Sequence, residues 1–222
     1  MKNTSPLGQR RVLLLGLGAA AALPALQGCA PLAVGGAATG AVMVYNDRRT
    51  TGAYVEDEGV EWRARRALRE RFGSAVNISV TSYNRNVLLT GQVPESSLKS
   101  EAERIVAEVE HVQGLVNELQ VAGLSTLSER SNDAMLTSMV KARLVDDPRV
   151  SANHIKVVTE AATVYLMGIV TRAEAEGATE VARTTRGVQK VVRVFEIISE
   201  EEAKSRDQRP PEKEPEDPRY TP

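Results

Sequence analysis

The sequence predicts an α+β protein built from two copies of one small domain, each an α-β-β-α-β unit with a three-stranded sheet and two helices on one face. Three observations carry this. Residues 60–121 recur at 136–197, most sharply in Val87-Leu88-Leu89-Thr90-Gly91-Gln92-Val93 and Val164-Tyr165-Leu166-Met167-Gly168-Ile169-Val170, 77 residues apart. Within each copy the apolar spacing alternates between the helical period and the strand period of two. The repeat is also longer than the roughly 20–50 residues of solenoid units, so it is a duplicated domain.

Before the first copy, Lys2, Arg10 and Arg11 precede an uncharged, Ala-rich stretch from Val12 to Leu26. At about 15 residues it is short of the ~20 that cross a bilayer, and it reads as an export signal over 1–28. It ends in Leu26-Gln27-Gly28-Cys29, which resembles the bacterial lipobox. That resemblance implies cleavage before Cys29, diacylation of its sulfur and acylation of its new amino group. Several chains together give stable anchoring. Ala30-Pro31 follow in place of the aspartate that usually retains lipoproteins at the inner membrane, so the outer membrane is expected, lipid-anchored and facing the periplasm. Without the leader, 25 basic residues face 29 acidic ones, a net charge of −4, which argues against general nucleic-acid binding. Cys29 is the only cysteine, so no disulfide framework or thiol nucleophile is expected.

Residues 29–56 are rich in Gly, Ala and Thr and read as the acylated N-terminus and a tether. The alternative is a small-residue strip packing on a membrane or partner. The first domain is expected over 57–122. Val60, Ala64, Ala67 and Leu68 mark one helix face, and Phe72-Gly73 the stop. Ile78 and Val80, then Val87, Leu89, Gly91 and Val93, mark two strands joined by a turn at Tyr83-Asn84-Arg85-Asn86. A helix follows Pro94-Glu95-Ser96, and Val112 to Val121 is a third strand. Residues 123–131 read as a linker. The second domain, 132–198, repeats the order: a helix capped by Asn132-Asp133 and closed by Asp147-Pro148, strands near 153–159 and 163–170, a helix over 172–186 and a last strand over 189–198. Residues 199–222, charged and proline-bearing, are expected to be disordered.

The helix-strand pattern from Val60, the two Gly-centred strands and Gly187-Val188-Gln189-Lys190-Val191-Val192-Arg193-Val194 resemble the BON domain. Two such units behind a lipobox, with Asp47-Arg48-Arg49-Thr50-Thr51-Gly52 before the first and Ser131-Asn132-Asp133 opening the second, resemble the dual-BON outer-membrane lipoproteins. The resemblance implies a non-enzymatic protein that supports outer-membrane integrity, binds anionic phospholipid (phosphatidylglycerol or cardiolipin) through its second unit and gathers at division sites. Relatives often carry tryptophan where Met135 stands, and methionine lacks that ring's preference for the membrane interface. This implies weaker lipid binding here.

Differences between the copies mark candidate faces. Leu136, Val140 and Leu144 form the core stripe of the first helix of the second unit. Met135, Met139 and Ala142 form a second stripe about 100° away, with Val145 near the core edge and Lys141 and Arg143 flanking. Apolar groups beside cations suit an anionic bilayer; the alternative is packing on the first unit. On the outer face of the second sheet, Tyr165, Met167, Ile169, Val192 and Val194 replace more polar residues of the first copy. They are expected to meet the first unit, or else a second copy or partner. The arginines of the first helix lie among acids and read as a solvated face. His111 and His154 are not equivalent in the repeat, and no metal-ligand spacing, nucleophile elbow or phosphate loop occurs. No catalytic residue, metal or cofactor is expected. Competing functions are an adaptor for outer-membrane assembly proteins and, more weakly, an ion or small-ligand sensor.

Overall fold

The computed structural model describes residues 47–209. Cys29, the rest of the expected tether before Asp47, and 210–222 lie outside them.

Helix α1 runs Thr51–Phe72, capped by the Thr50 hydroxyl, which accepts from Ala53 N at 3.0 Å, and ended by Gly73 at φ 58°. It starts six residues before the expected boundary, so residues 51–56 are helix and not tether. β1 (Asn77–Tyr83) and β2 (Asn86–Val93) form an antiparallel hairpin, and α2 (Ser96–Ala107) crosses over to place β3 (Gly114–Asn117) parallel to β2. The third strand breaks at Glu118-Leu119 and resumes as β4 (Gln120–Val121), also against β2. The second unit repeats this as α3 (Leu127–Asp146), β5 (Ile155–Glu160), β6 (Thr163–Thr171), α4 (Arg172–Arg183) and one unbroken strand β7 (Lys190–Ile198), ordered β5-β6-β7.

Two further expectations are corrected. Helix α3 starts at Thr126, whose side chain accepts from Glu129 N while the Glu129 carboxylate accepts from Thr126 N. This capping box moves the start into the expected linker. Asn132-Asp133 therefore lies inside the helix. The tail also begins with a helix, α5 (Glu200–Asp207), capped by Ser199, which accepts from Glu202 N at 3.1 Å. Glu200, Glu201 and Glu202 sit in its first turn, where the helix dipole favours anions. Ala203 is buried, so this segment is part of the fold.

Each unit has its own core between helices and sheet. Val60, Ala64 and Leu68 of α1 meet Val80, Val87 and Leu89, and Ala102 and Val106 of α2 close the cluster. Val140 and Leu144 of α3, with Leu136 buried beside them, meet Val157, Val164 and Leu166, closed by Ala178 and Val181. Fully burying each such side chain is worth about 1.5–3 kcal/mol. The opposite faces of the two sheets meet each other. Tyr83, Leu88 and Val116 of the first pack with Tyr165, Met167, Ile169, Val192, Val194 and Ile198 of the second, with Ala203 of α5. Polar bonds frame this apolar seam. Lys156 Nζ donates to Glu61 at 3.0 Å and to Ser82 O at 3.1 Å, and Asn84 Nδ2 donates to Glu196 at 2.7 Å.

The duplicated glycines share a cause. A Cβ on Gly91, at φ 115°, would lie 2.0 Å from Asn77 O, and one on Gly168 would lie 2.4 Å from His154 O. The first strand of each unit crosses the second too closely there for any side chain.

Candidate functional site

Helix α3 presents the clearest difference between the copies. Its core face holds Leu136, Val140 and Leu144, and the opposite face carries Leu127, Met135 and Val145 at 82 %, 55 % and 71 % exposure, with Ala134 and Ala142 also exposed. From Leu127 to Val145 the strip is about 27 Å long. At the repeat spacing of 76 residues, Ala134, Met139, Ala142 and Val145 stand where α1 has Glu58, Arg63, Arg66 and Arg69. The second copy thus carries apolar side chains where the first carries four charges, three of them on the solvent-facing surface and Met139 half-buried. Lys141 and Arg130 line one edge, both exposed.

Three expected members behave differently from one another. Val145 lies on the outward face and not at the core edge, because at 100° per residue it falls nearly opposite Val140. Met139 is half-buried. Arg143 is committed elsewhere: Nη1 donates to Val181 O at 2.8 Å and Thr185 Oγ1 at 2.7 Å, and Nη2 to Thr184 Oγ1 at 3.0 Å. It caps the C-terminus of α4, where a cation is favoured by the dipole. Leu127 and Arg130 were not anticipated, since they lie in the residues read as linker; the Thr126-x-x-Glu129 capping signature would have placed them on the helix.

The sheet-face residues Tyr165, Met167 and Ile169 are buried in the seam, and Val192 and Val194 pack against it. A partner reaching these side chains would have to separate the two units.

A buried ion cluster closes one end of the seam. Arg48 is 4 % exposed and all five of its N–H groups are used. Nη1 donates to Glu174 Oε2 at 2.6 Å and Ile169 O at 3.1 Å, Nη2 to Glu174 Oε1 and Asp207 Oδ2 at 3.0 Å each, and Nε to Asp207 Oδ1 at 2.8 Å. The segment before α1 is thereby tied to α4 and α5 of the second unit. Glu174 is positioned by a capping box: Thr171 N donates to Glu174 Oε2 at 2.7 Å, and Glu174 N to Thr171 Oγ1. Burial alone would raise the Glu174 carboxyl, but His154, Arg48 and the Thr171 N–H hold it down at about 2. Arg48, chiefly, also lowers Asp207. Burial opposes the Arg48 charge, yet its two carboxylates raise its pKa further. His154 faces both acids at 3.7 Å, too far for hydrogen bonds, and its Nδ1 has no partner. A cavity of about 330 Å³ opens beside this group.

Arg49 completes the strap. It pairs with Asp47 at 2.6 Å and Asp57 at 2.8 Å and stacks over Tyr83, 4.1 Å from the ring centroid. Of the α1 arginines, Arg66 pairs with Glu70 on the same helix and Arg71 with Glu101 of α2, each at 2.7 Å. Among the described residues no three His, Cys, Asp or Glu side chains form a metal-binding group, and no helix is long and apolar enough to cross a membrane.

Known proteins supply the context. The BON domain profile matches residues 61–123 and 132–199. The outer membrane lipoprotein DolP of Haemophilus influenzae is 37% identical over 175 residues, covering 78% of this chain and 90% of that protein. The 21 kDa hemolysin of Actinobacillus pleuropneumoniae is 34% identical over 154 residues, 68% of this chain and 79% of that one. The osmotically-inducible protein Y of Escherichia coli is 27% identical over 173 residues, 69% of this chain and 86% of that one. With a two-fold match to the domain and a long, well-covered relative, the chain belongs to the BON-domain family.

Proposed function

We propose that the chain is a non-enzymatic outer-membrane lipoprotein that binds anionic phospholipid through the outer face of α3 and supports envelope integrity. The observation that carries this is the exposed strip Leu127, Met135, Ala142 and Val145, whose last two members stand where the first copy has Arg66 and Arg69. A helix with its core face already buried and a second apolar face beside Arg130 and Lys141 suits the interface of a charged bilayer. Methionine adapts to disordered acyl chains. Cys29, acylated, supplies the anchor, and the likeness to the lipoprotein of Haemophilus influenzae supports the outer membrane as its place.

Vesicle flotation tests this, using the chain from residue 30 so that neither the apolar leader nor acyl chains contribute. Binding to phosphatidylglycerol or cardiolipin vesicles, weakened by salt and absent on phosphatidylcholine, is the expected result. Met135→Glu with Val145→Glu is expected to abolish it while leaving the thermal midpoint within a few degrees, since both side chains are exposed. Unchanged binding by that variant would reject the face.

A further inference from the structure

Strand β7 ends the second sheet, pairing with β6 on one side only among the described residues. It is nine residues long and unbroken, so its other edge presents a row of unpaired N–H and C=O groups. Beside that edge, the space between β7 and α4 opens into two cavities of about 250 Å³ each. Arg172, Arg193, Phe195 and Ile197 line the first, and Arg183, Lys190 and Val191 the second. Side chains alternate along β7: Val192, Val194 and Ile198 face the seam, while Val191 and Phe195 turn toward α4. Arg193 and Ile197 share that second side by the strand period.

The first unit shows the same groove closed. There Asn117 Nδ2 donates across it to Lys99 O at 3.0 Å and to Glu103 at 2.9 Å, and the strand breaks at the next two residues. At the repeat spacing Arg193 replaces Asn117, and the tie to the helix is gone.

We propose that this groove binds an extended, acidic segment of a partner protein, which adds to β7 as a fourth strand. The backbone edge supplies the hydrogen bonds that any strand needs, and the spaces at Phe195 and Ile197 accept alternate apolar side chains. Charge selects the occupant. Arg172 and Arg193 have no ion-pair partner among the described residues, and Glu176 is the one acid lining the two cavities. Lys190 and Arg183 extend the basic rim, though Arg183 pairs with Glu180 and Lys190 lies 3.7 Å from Glu118. The chain's own residues 210–222 hold five prolines, which cannot donate to a ladder.

The test is amide chemical-shift mapping on the full-length protein. The probe is a capped peptide of sequence Glu-Val-Glu-Ile-Glu-Val-Glu. Saturable shifts are expected along Lys190–Ile198 and Arg172–Arg183. The lysine-for-glutamate counterpart should bind at least about tenfold more weakly, as should the acidic peptide to Arg193→Glu or Arg172→Glu. N-methylation of alternate peptide nitrogens should abolish binding, a result independent of any protein variant. The proposal is overturned by absent or misplaced shifts, by equal binding of the lysine peptide, or by indifference to N-methylation. It is also overturned if removing residues 210–222 uncovers the site, which would make the tail its occupant. A concentration-dependent dimer lost in Arg193→Glu would assign the edge to a second copy instead.

Discussion

Arg48 and Glu174, 126 residues apart in sequence, meet in a two-pronged ion pair at 2.6 and 3.0 Å. Asp207 takes the remaining guanidinium edge, so one side chain joins the segment before the first unit to both outer elements of the second. Breaking a buried pair by removing one partner costs about 3–5 kcal/mol, because the other charge is left behind. Arg48→Met is expected to cost about 3 kcal/mol, since Asp207 is partly solvated and can rehydrate. Urea unfolding checks this, and protease cutting should then begin near α5.

The same pair sets an acid limb. The Glu174 carboxyl is held at about 2, below the ~4.3 of an unfolded chain. Its stabilisation is therefore complete above about pH 4.5 and is lost as pH falls toward 2. Asp207, also lowered, acts in the same sense. Glu160 is raised by burial, so it works the other way and gains as pH falls. Thermal midpoints measured from pH 6 to 3 should drop for the parent and flatten in Arg48→Met.

Asp57 and Asp133 play one role in the two units. Asp133 accepts from Ala161 N and Ala162 N at 2.9 Å each, and Asp57 from Asn84 N at 2.8 Å and Arg85 N at 2.7 Å. Each carboxylate holds a hairpin turn whose two central residues have positive φ, 49° and 56° at Ala161 and Ala162. Asp133→Ala removes the acceptor from both and should cost about 2 kcal/mol. Asp57→Ala should cost more, since it also strands Arg49 and Ser82. Chemical denaturation of the two variants measures the difference.

Tyr165 is buried between the sheets, and burial, with the Glu118 charge next, raises its phenol above the ordinary range. Tyr165→Glu puts a charge in that seam and should cost at least about 3 kcal/mol. Calorimetry is expected to show the single transition of the parent lowered or split into two.

Much of this was legible in the chain. The stripe Leu136, Val140, Leu144 follows the helical period, and the Gly91 and Gly168 strands follow the period of two, because burial on one face dictates both. The caps at Thr126, Thr171 and Ser199 were legible too, each with Glu three residues on; the first moves the start of α3 and the last turns the start of the tail into a helix. Arg48 was not, because its partners come from α4 and α5 and only docking of the two units brings them together. Arg143 looked like an edge cation of the α3 strip, and spacing along its own helix holds no trace of the α4 carbonyl it caps. Val145 was misplaced by one edge, a matter of tens of degrees that the short apolar run Leu144-Val145 does not resolve.

The most direct measurement places an environment-sensitive fluorophore at single cysteines in the chain from residue 30, which has no cysteine of its own: Met135→Cys, Val145→Cys, Trp62→Cys on α1 and Ile197→Cys on β7. With phosphatidylglycerol vesicles the account predicts blue-shifted, brightened emission at 135 and 145 and unchanged emission at 62 and 197. Equal shifts at all four, or shifts at 62 alone, would contradict α3 as the lipid-binding face.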